Sequence, residues 1–311
     1  MLDNLRKMKR KALMRLKTKR AIAKELAGGG TGAEVNILLL AHALEKGMGL
    51  PSPRPGFGAE KAEALLKALE GYKGSGLDCS AYAFIEGVSV LGAYYSYTDN
   101  DTEKYRKRFH AVSVGIELNH AGIHSVADIY ETYNKIDYSQ IEFFFSSRHS
   151  IRSYEKKQVG DDVIRSLLLI ASHAPSACNR QPAKVYISTN PETVVKVSRL
   201  IPGNKGFEDE VPNWAIVAVD RDLFNEGEPL QWYINGGIYL SYLVGAMHAC
   251  HLGSCIFQIP MIHPDTPKLR ELASIPENES IVAAVGFGYP KKENRFLAAA
   301  RRPAEEVMVR F

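Results

Sequence analysis

Apolar residues fall at helical spacing, or along unbroken apolar faces, over residues 35–44, 61–69 and 79–95, and the pattern continues through 101–119 and 125–136. The first part of the chain therefore reads as mainly helical. Between its first two helices, residues 46–58 carry three prolines and four glycines, a density that excludes a helix. After residue 140 the pattern changes. Residues 161–172 read as a helix opened by Asp161 and Asp162, acids suited to a helix N-terminus. Residues 184–188, 215–219 and 281–287 read as buried strands, 230–252 as a long uncharged helix and 267–273 as a short amphipathic one. Strands covered by helices make an α+β layered domain, here a three-layer sheet flanked by helices and preceded by a helical region. The expected division is 1–32 for a basic helical tail and Gly-rich linker, 33–138 for the helical region and 139–311 for the α+β domain.

Charge changes this picture at one end only. Residues 1–24 hold ten Lys/Arg against Asp3, a net +9, so the rest of a chain whose overall charge is +4 carries −5. With Leu2, Leu5, Met8, Leu13 and Leu16 roughly on one side, such a helix is suited to an anionic membrane surface or an acidic partner; a solvated terminus is the plainer reading. No nucleic-acid motif accompanies the charge. Residues 27–32, Ala-Gly-Gly-Gly-Thr-Gly, lack the Gly-Lys-Ser/Thr ending of a phosphate-binding P-loop and read as a linker. Cys79, Cys178, Cys250 and Cys255 form no CxxC pair, and the basic start lacks a signal peptide's apolar run, which together suggest a reducing cytoplasmic setting. Residues 231–264 contain no Asp, Glu, Lys or Arg, but Asn235, His248, His251 and several glycines dilute them. They read as a helix in a protein interior or dimer interface rather than a membrane span.

Four segments carry candidate chemistry. Arg148, Ser150 and Arg152, if extended, project on one side at period two, and their forked, permanently charged donors suit a phosphate; a surface salt-bridge cluster is the alternative. Residues 174–182 (Ala-Pro-Ser-Ala-Cys-Asn-Arg-Gln-Pro) bracket small and amide side chains between prolines. Asn179 and Gln181 each offer donor and acceptor groups that suit the edge of a flat heterocycle. In residues 251–255, Gly253 either lets the backbone approach a ligand closely or ends the long helix. The tail offers Arg295, Arg301 and Arg302 to a phosphate or to solvent. Glu117, His120 and His124, with His42 and Glu45, show the Glu-x-x-His spacing of carboxylate-bridged metal bundles, but too few carboxylates accompany them, and no metal site is expected.

Taken in order, these segments, with residues 286–290 (Gly-Phe-Gly-Tyr-Pro), resemble the nitroreductase family over roughly 139–311. The resemblance implies an FMN-binding homodimer that passes hydride from NADH or NADPH through flavin N5 to a small electron-poor acceptor, with FMN at the subunit interface. It assigns the phosphate and ribityl end to Arg148, His149, Ser150 and Arg152. It brings Pro175, Ser176, Ala177, Asn179 and Gln181 to the flavin from the other subunit, places Gly253 and Ser254 beside the ring, and makes Arg302 the best match for a late phosphate arginine. No side chain is assigned as a general acid. Ala183 stands where many members have an aromatic residue, implying a more open pocket. With little else to cover the ring, Lys46, Arg54 and Phe57 of the Pro/Gly-rich loop are expected to select the substrate. The rival reading is a flavin-binding sensor or scaffold without turnover.

Overall fold

The structure is a computed structural model of the 311-residue chain. It describes residues 32–311 except 55, 99–102, 120, 226 and 261–262, together with 9, 12–14, 16–20 and 23. Of the expected basic helix over 2–24, residues 12–14 and 16–20 are helical; the expected positions Leu2, Leu5 and Met8 lie outside the described residues.

Four helices build the first region: α1 (Ala33–Met48), α2 (Ala59–Gly74), α3 (Tyr82–Tyr97) and α4 (Glu103–Ser113). Their apolar faces bury Ile37, Leu44, Leu65, Phe84, Leu91 and Tyr94 in one core. α1 and α3 meet closely at Gly87, where an added Cβ would stand 2.5 Å from Ile37. Arg108 fastens α4 to α2 by forked bonds of 2.7 Å to both Glu70 oxygens and a 2.8 Å bond to Glu63. That pairing holds the Glu70 carboxyl below its usual range. Several boundaries differ from expectation, among them the end of α2, at Gly74 rather than 69, and the start of α3, at Tyr82 rather than 79. α1 runs on through Met48 into the Pro/Gly-rich stretch, and α4 stops at Ser113 because Gly115 turns the chain with φ +79°.

α5 (Val126–Tyr133) is opened by a capping box in which Ser125 and Asp128 exchange side-chain-to-backbone bonds. α6 (Tyr138–Ser147) follows, and neither helix buries a residue.

The α+β domain is as expected in class, with one strand more than the hydrophobic pattern suggested. β1 (Ala183–Ser188), β2 (Asn213–Asp220), β3 (Gly253–Gln258) and β4 (Glu279–Gly288) form an antiparallel sheet ordered β1-β2-β4-β3. Side chains alternate across it as strand geometry requires. Ala215, Val217, Val285 and Phe287 pack under α7 (Asp161–Ala171) and α9 (Gln231–Ala249). Trp214, Ile216, Phe257 and Ala284 face α8 (Pro191–Ser198) and α10 (Thr266–Leu272). The uncharged helix α9 thus covers the sheet, and none of the described helices is long and apolar enough to cross a membrane. A last short helix, α11 (Ala304–Val307), lies in an exposed tail.

Candidate functional site

The Arg148 segment lies at the open edge of the sheet. Ser150 pairs with Ser254 in an isolated parallel bridge, and the Ile151 N–H donates to the Ser254 carbonyl at 3.0 Å. The contact depends on Gly253: a Cβ there would stand 2.8 Å from Ile151, closer than real Cβ atoms approach. Gly253 does not end the helix; its lack of a side chain makes room for Ile151. The helix is ended instead by His251 in a left-handed conformation (φ +59°), with its N–H bonded to the His248 carbonyl. Tyr154 anchors the far end of the segment. Its buried hydroxyl donates toward the carbonyls of Ile151 (2.5 Å) and Gly286 (3.1 Å).

Positive charge gathers here. Among the described residues, neither Arg148 nor Arg152 forms an ion pair with a carboxylate, whereas Arg108 and Arg180 do. Burial first, and then the proximity of Arg148, His251 and His149, hold the His248 imidazole below its usual range. His248 Nε2 lies 2.8 Å from Ser147 Oγ. Burial raises the Cys255 thiol, against the opposing pull of Arg152, Ser150 and Arg148. His149 stacks on Phe296 with ring centroids 4.0 Å apart, and this brings the tail next to Arg295 into the same neighbourhood. Arg302 lies further along, exposed. The salt-bridge alternative for this arginine cluster finds no partner among the described residues.

The second segment is a strained polar turn. Cys178, Asn179 and Gln181 all take left-handed φ values, 52°, 52° and 48°, which cost energy for residues with a side chain. Several bonds hold them. Ser176 Oγ accepts from the Gln181 N–H at 2.9 Å, and Asn235 Oδ1 on α9 accepts from the Ala177 N–H at 2.7 Å. The buried Arg180 guanidinium forks onto Glu228 at 2.7 and 2.8 Å and lies over the Phe224 ring. Pro175, Ser176, Gln181 and Ala183 line one cavity of about 140 Å³ together with Asn235 and Tyr239.

The helical region reaches this turn directly. Tyr82 Oη donates to the Asn179 carbonyl (3.1 Å) and accepts from Asn179 Nδ2 (3.0 Å) and Gln181 Nε2 (2.7 Å). Glu86, one helical turn on and 5% exposed, accepts from Asn179 Nδ2 (3.3 Å) and Asn119 Nδ2 (2.6 Å). Burial and the charge of Glu86 hold the Tyr82 phenol well above its ordinary range, so its proton stays on. Burial and then Glu86 also raise the Glu45 carboxyl.

The structure therefore joins Arg148–Arg152 to Gly253–Ser254 within one chain, and groups Pro175–Gln181 separately with α3 and α9. Lys46 and Arg54 are exposed on the helical region. Phe57 packs edge-on against Tyr94 and Tyr97, and the hollow beside Arg54 is lined by residues of its own loop, among them Leu50, Pro53 and Phe57. No group of three or more metal-ligating side chains exists among the described residues, and His120 lies outside them. Sequence reasoning missed Tyr82, Glu86, Asn235 and His248. Glu86 had a signal, being the lone charged residue of α3. Asn235 had another, an amide within the uncharged run.

Residues 145–213 match the Nitroreductase family. A protein of Archaeoglobus fulgidus, provisionally named NADH dehydrogenase/NAD(P)H nitroreductase, is 30% identical over 159 residues, covering 50% of this chain and 88% of that one. An NADH dehydrogenase of Thermus thermophilus is 26% identical over 193 residues, covering 52% and 91%. Among solved structures, a provisionally named nitroreductase of Desulfovibrio desulfuricans in complex with FMN is 22% identical. The match covers 55% of this chain and 96% of that one, with a TM-score of 0.47. With the motif segments placed on an antiparallel sheet between helical layers, and with a relative at this identity matched over most of its length, the chain belongs to the nitroreductase family.

Proposed function

We propose that this nitroreductase-family oxidoreductase binds FMN and uses it to carry hydride from NADH or NADPH to a small electron-poor acceptor. The observation that carries the reading is the Arg148–Arg152 segment: two guanidiniums without a carboxylate partner among the described residues, fixed at the sheet edge by the Ser150–Ser254 bridge. Fixed, permanently charged donors of this kind fit a phosphate, and each such bond contributes on the order of 1.5–3 kcal/mol.

Arg148, Ser150 and Arg152 would hold the phosphate and ribityl end, with His149 beside them and either Arg295 or Arg302 added from the tail. Gly253 and Ser254, held against the same segment by the Ser150 bridge, would border the ring. Bound FMN supplies the redox chemistry by accepting and passing on hydride; the protein orients the reactants and excludes water.

The ring's other side is contributed by Pro175, Ser176, Ala177, Asn179 and Gln181 of a second subunit, making a homodimer with FMN at its interface. The exposed apolar residues of α6 and the tail, such as Phe143, Phe145 and Val309, support a second copy. Lys46 lies near the end of α1, and the loop that carries Arg54 and Phe57 follows it. Exposed Lys46 and Arg54 are then suited to an acceptor carrying negative charge. Phe57 contributes by holding the loop to α3.

The test is equilibrium binding of FMN and of riboflavin, which lacks the phosphate, to the protein and to Arg152→Ala. The substitution is expected to weaken FMN by about 10- to 100-fold, the loss of one charged hydrogen bond, and to leave riboflavin affinity nearly unchanged. Equal loss for both ligands, or no flavin binding by the parent protein, would contradict the assignment.

A further inference from the structure

The hydroxyl of Tyr82 is hydrogen-bonded to its full capacity. A phenol offers one donor and two acceptor sites. Here the donor goes to the Asn179 carbonyl, and the two acceptor sites take Asn179 Nδ2 and Gln181 Nε2. The consequence passes to the amides. Gln181 Nε2 spends its second hydrogen on Asn179 Oδ1 at 3.2 Å, and Asn179 Nδ2 spends its second on Glu86. Both donor ends of the two amides are therefore turned toward α3 and toward each other. What Gln181 leaves open is its acceptor oxygen, Oε1, for which no partner exists among the described residues.

This happens at a turn with three left-handed residues that have side chains, a geometry that persists only when its surroundings hold it. Tyr82 is 36% exposed, so burial of its ring does not by itself account for its place. It lies in the helical region, before the 145–213 stretch that matches the family.

We propose that Tyr82 is a positioning residue of the flavin site: by filling the donor ends of Asn179 and Gln181 it presents the acceptor of Gln181 to the N–H of the flavin's pyrimidine edge. The helical region thereby completes the cofactor site rather than merely adjoining it. The inference rests on the flavin reading above.

Tyr82→Phe keeps the ring and removes all three bonds. The experiment titrates FMN and riboflavin into the full-length parent, Tyr82→Phe, Gln181→Ala and the double variant, following flavin fluorescence, with thermal unfolding recorded in parallel. Because Tyr82 acts at the ring end, Tyr82→Phe is expected to weaken both ligands equally, by roughly tenfold. This contrasts with Arg152→Ala, which selects against FMN alone. The double variant is expected to bind no more weakly than the weaker single variant, since Tyr82 works through the amides. The visible band of bound flavin should shift in Tyr82→Phe, and the unfolding midpoint should move little.

Unchanged affinity and band position in Tyr82→Phe would overturn the proposal while leaving the flavin reading intact. So would multiplicative losses in the double variant, or a loss of affinity that merely follows a fallen unfolding midpoint. A parent protein that binds neither ligand overturns both readings.

Discussion

The apolar residues of α1–α4 and those of α5, α6 and the tail are similar in kind and opposite in fate. In the first region Ile37, Leu44, Leu65, Phe84 and Tyr94 are fully buried within the chain. In the second, Tyr138 is 78% exposed, Phe143 and Phe145 71%, and Val309 82%. The first set makes a self-sufficient core. The second leaves many large apolar side chains without cover, which suits elements that pack against another chain. The same contrast recurs among the polar groups: the amide donors of Asn179 and Gln181 are taken up by bonds within the chain, leaving Gln181 Oε1 open, whereas Arg148 and Arg152 have no carboxylate partner among the described residues.

The comparison breaks most decisively if core residues prove dispensable. Leu65→Ala should destabilise the protein by about 2–5 kcal/mol, the cost of deleting a buried leucine side chain and leaving a cavity. Denaturant unfolding measures it; a loss below about 0.5 kcal/mol, the range of surface substitutions, would mean that α1–α4 do not form a packed core. The paired substitution Phe143→Glu with Phe145→Glu should convert a dimer to a monomer in sedimentation while the helical content persists, and bound flavin should be lost with the interface. A dimer that survives would move the interface elsewhere.

The smallest effect belongs to Glu45. Burial and Glu86 raise its folded pKa above 4.5, so its ionised form costs stability, a cost that sets in as pH rises above 4.5 and is fully present beyond the folded pKa. Glu45→Gln should therefore raise the unfolding midpoint at pH 7, with the gain fading as pH falls through the folded pKa and gone below about 4.5. A gain that is independent of pH would contradict this origin.

Much of the fold was legible because periodicity is a local property. Helices at 35–44 and 61–69 and strands at 184–188 and 215–219 all appear near their expected places, extended by a few residues where tertiary contact prolongs them. β3 was not legible as a strand. It follows α9 inside one uncharged run, and the break between them is a backbone event at His251, a residue type that carries no turn signal of glycine's kind. The site divides in the same way. Arg148, Ser150, Arg152, Asn179 and Gln181 stood out because their spacing is short-range. Tyr82 could not, because its bonds to Asn179 and Gln181 span 97 and 99 residues, and only the packing of α3 against the turn creates them. Glu86 was visible as a lone charge in an apolar helix, but its meaning depended on the same packing.

The most direct test of the account is the visible absorption spectrum of the FMN-reconstituted protein before and after anaerobic addition of NADH or NADPH. The account predicts a flavin band that co-purifies with the protein and bleaches on addition of one of the two nucleotides. A bound flavin that neither nucleotide reduces would contradict the proposed reductase activity and favour a flavin-binding sensor or scaffold; a protein that retains no flavin would contradict the site itself.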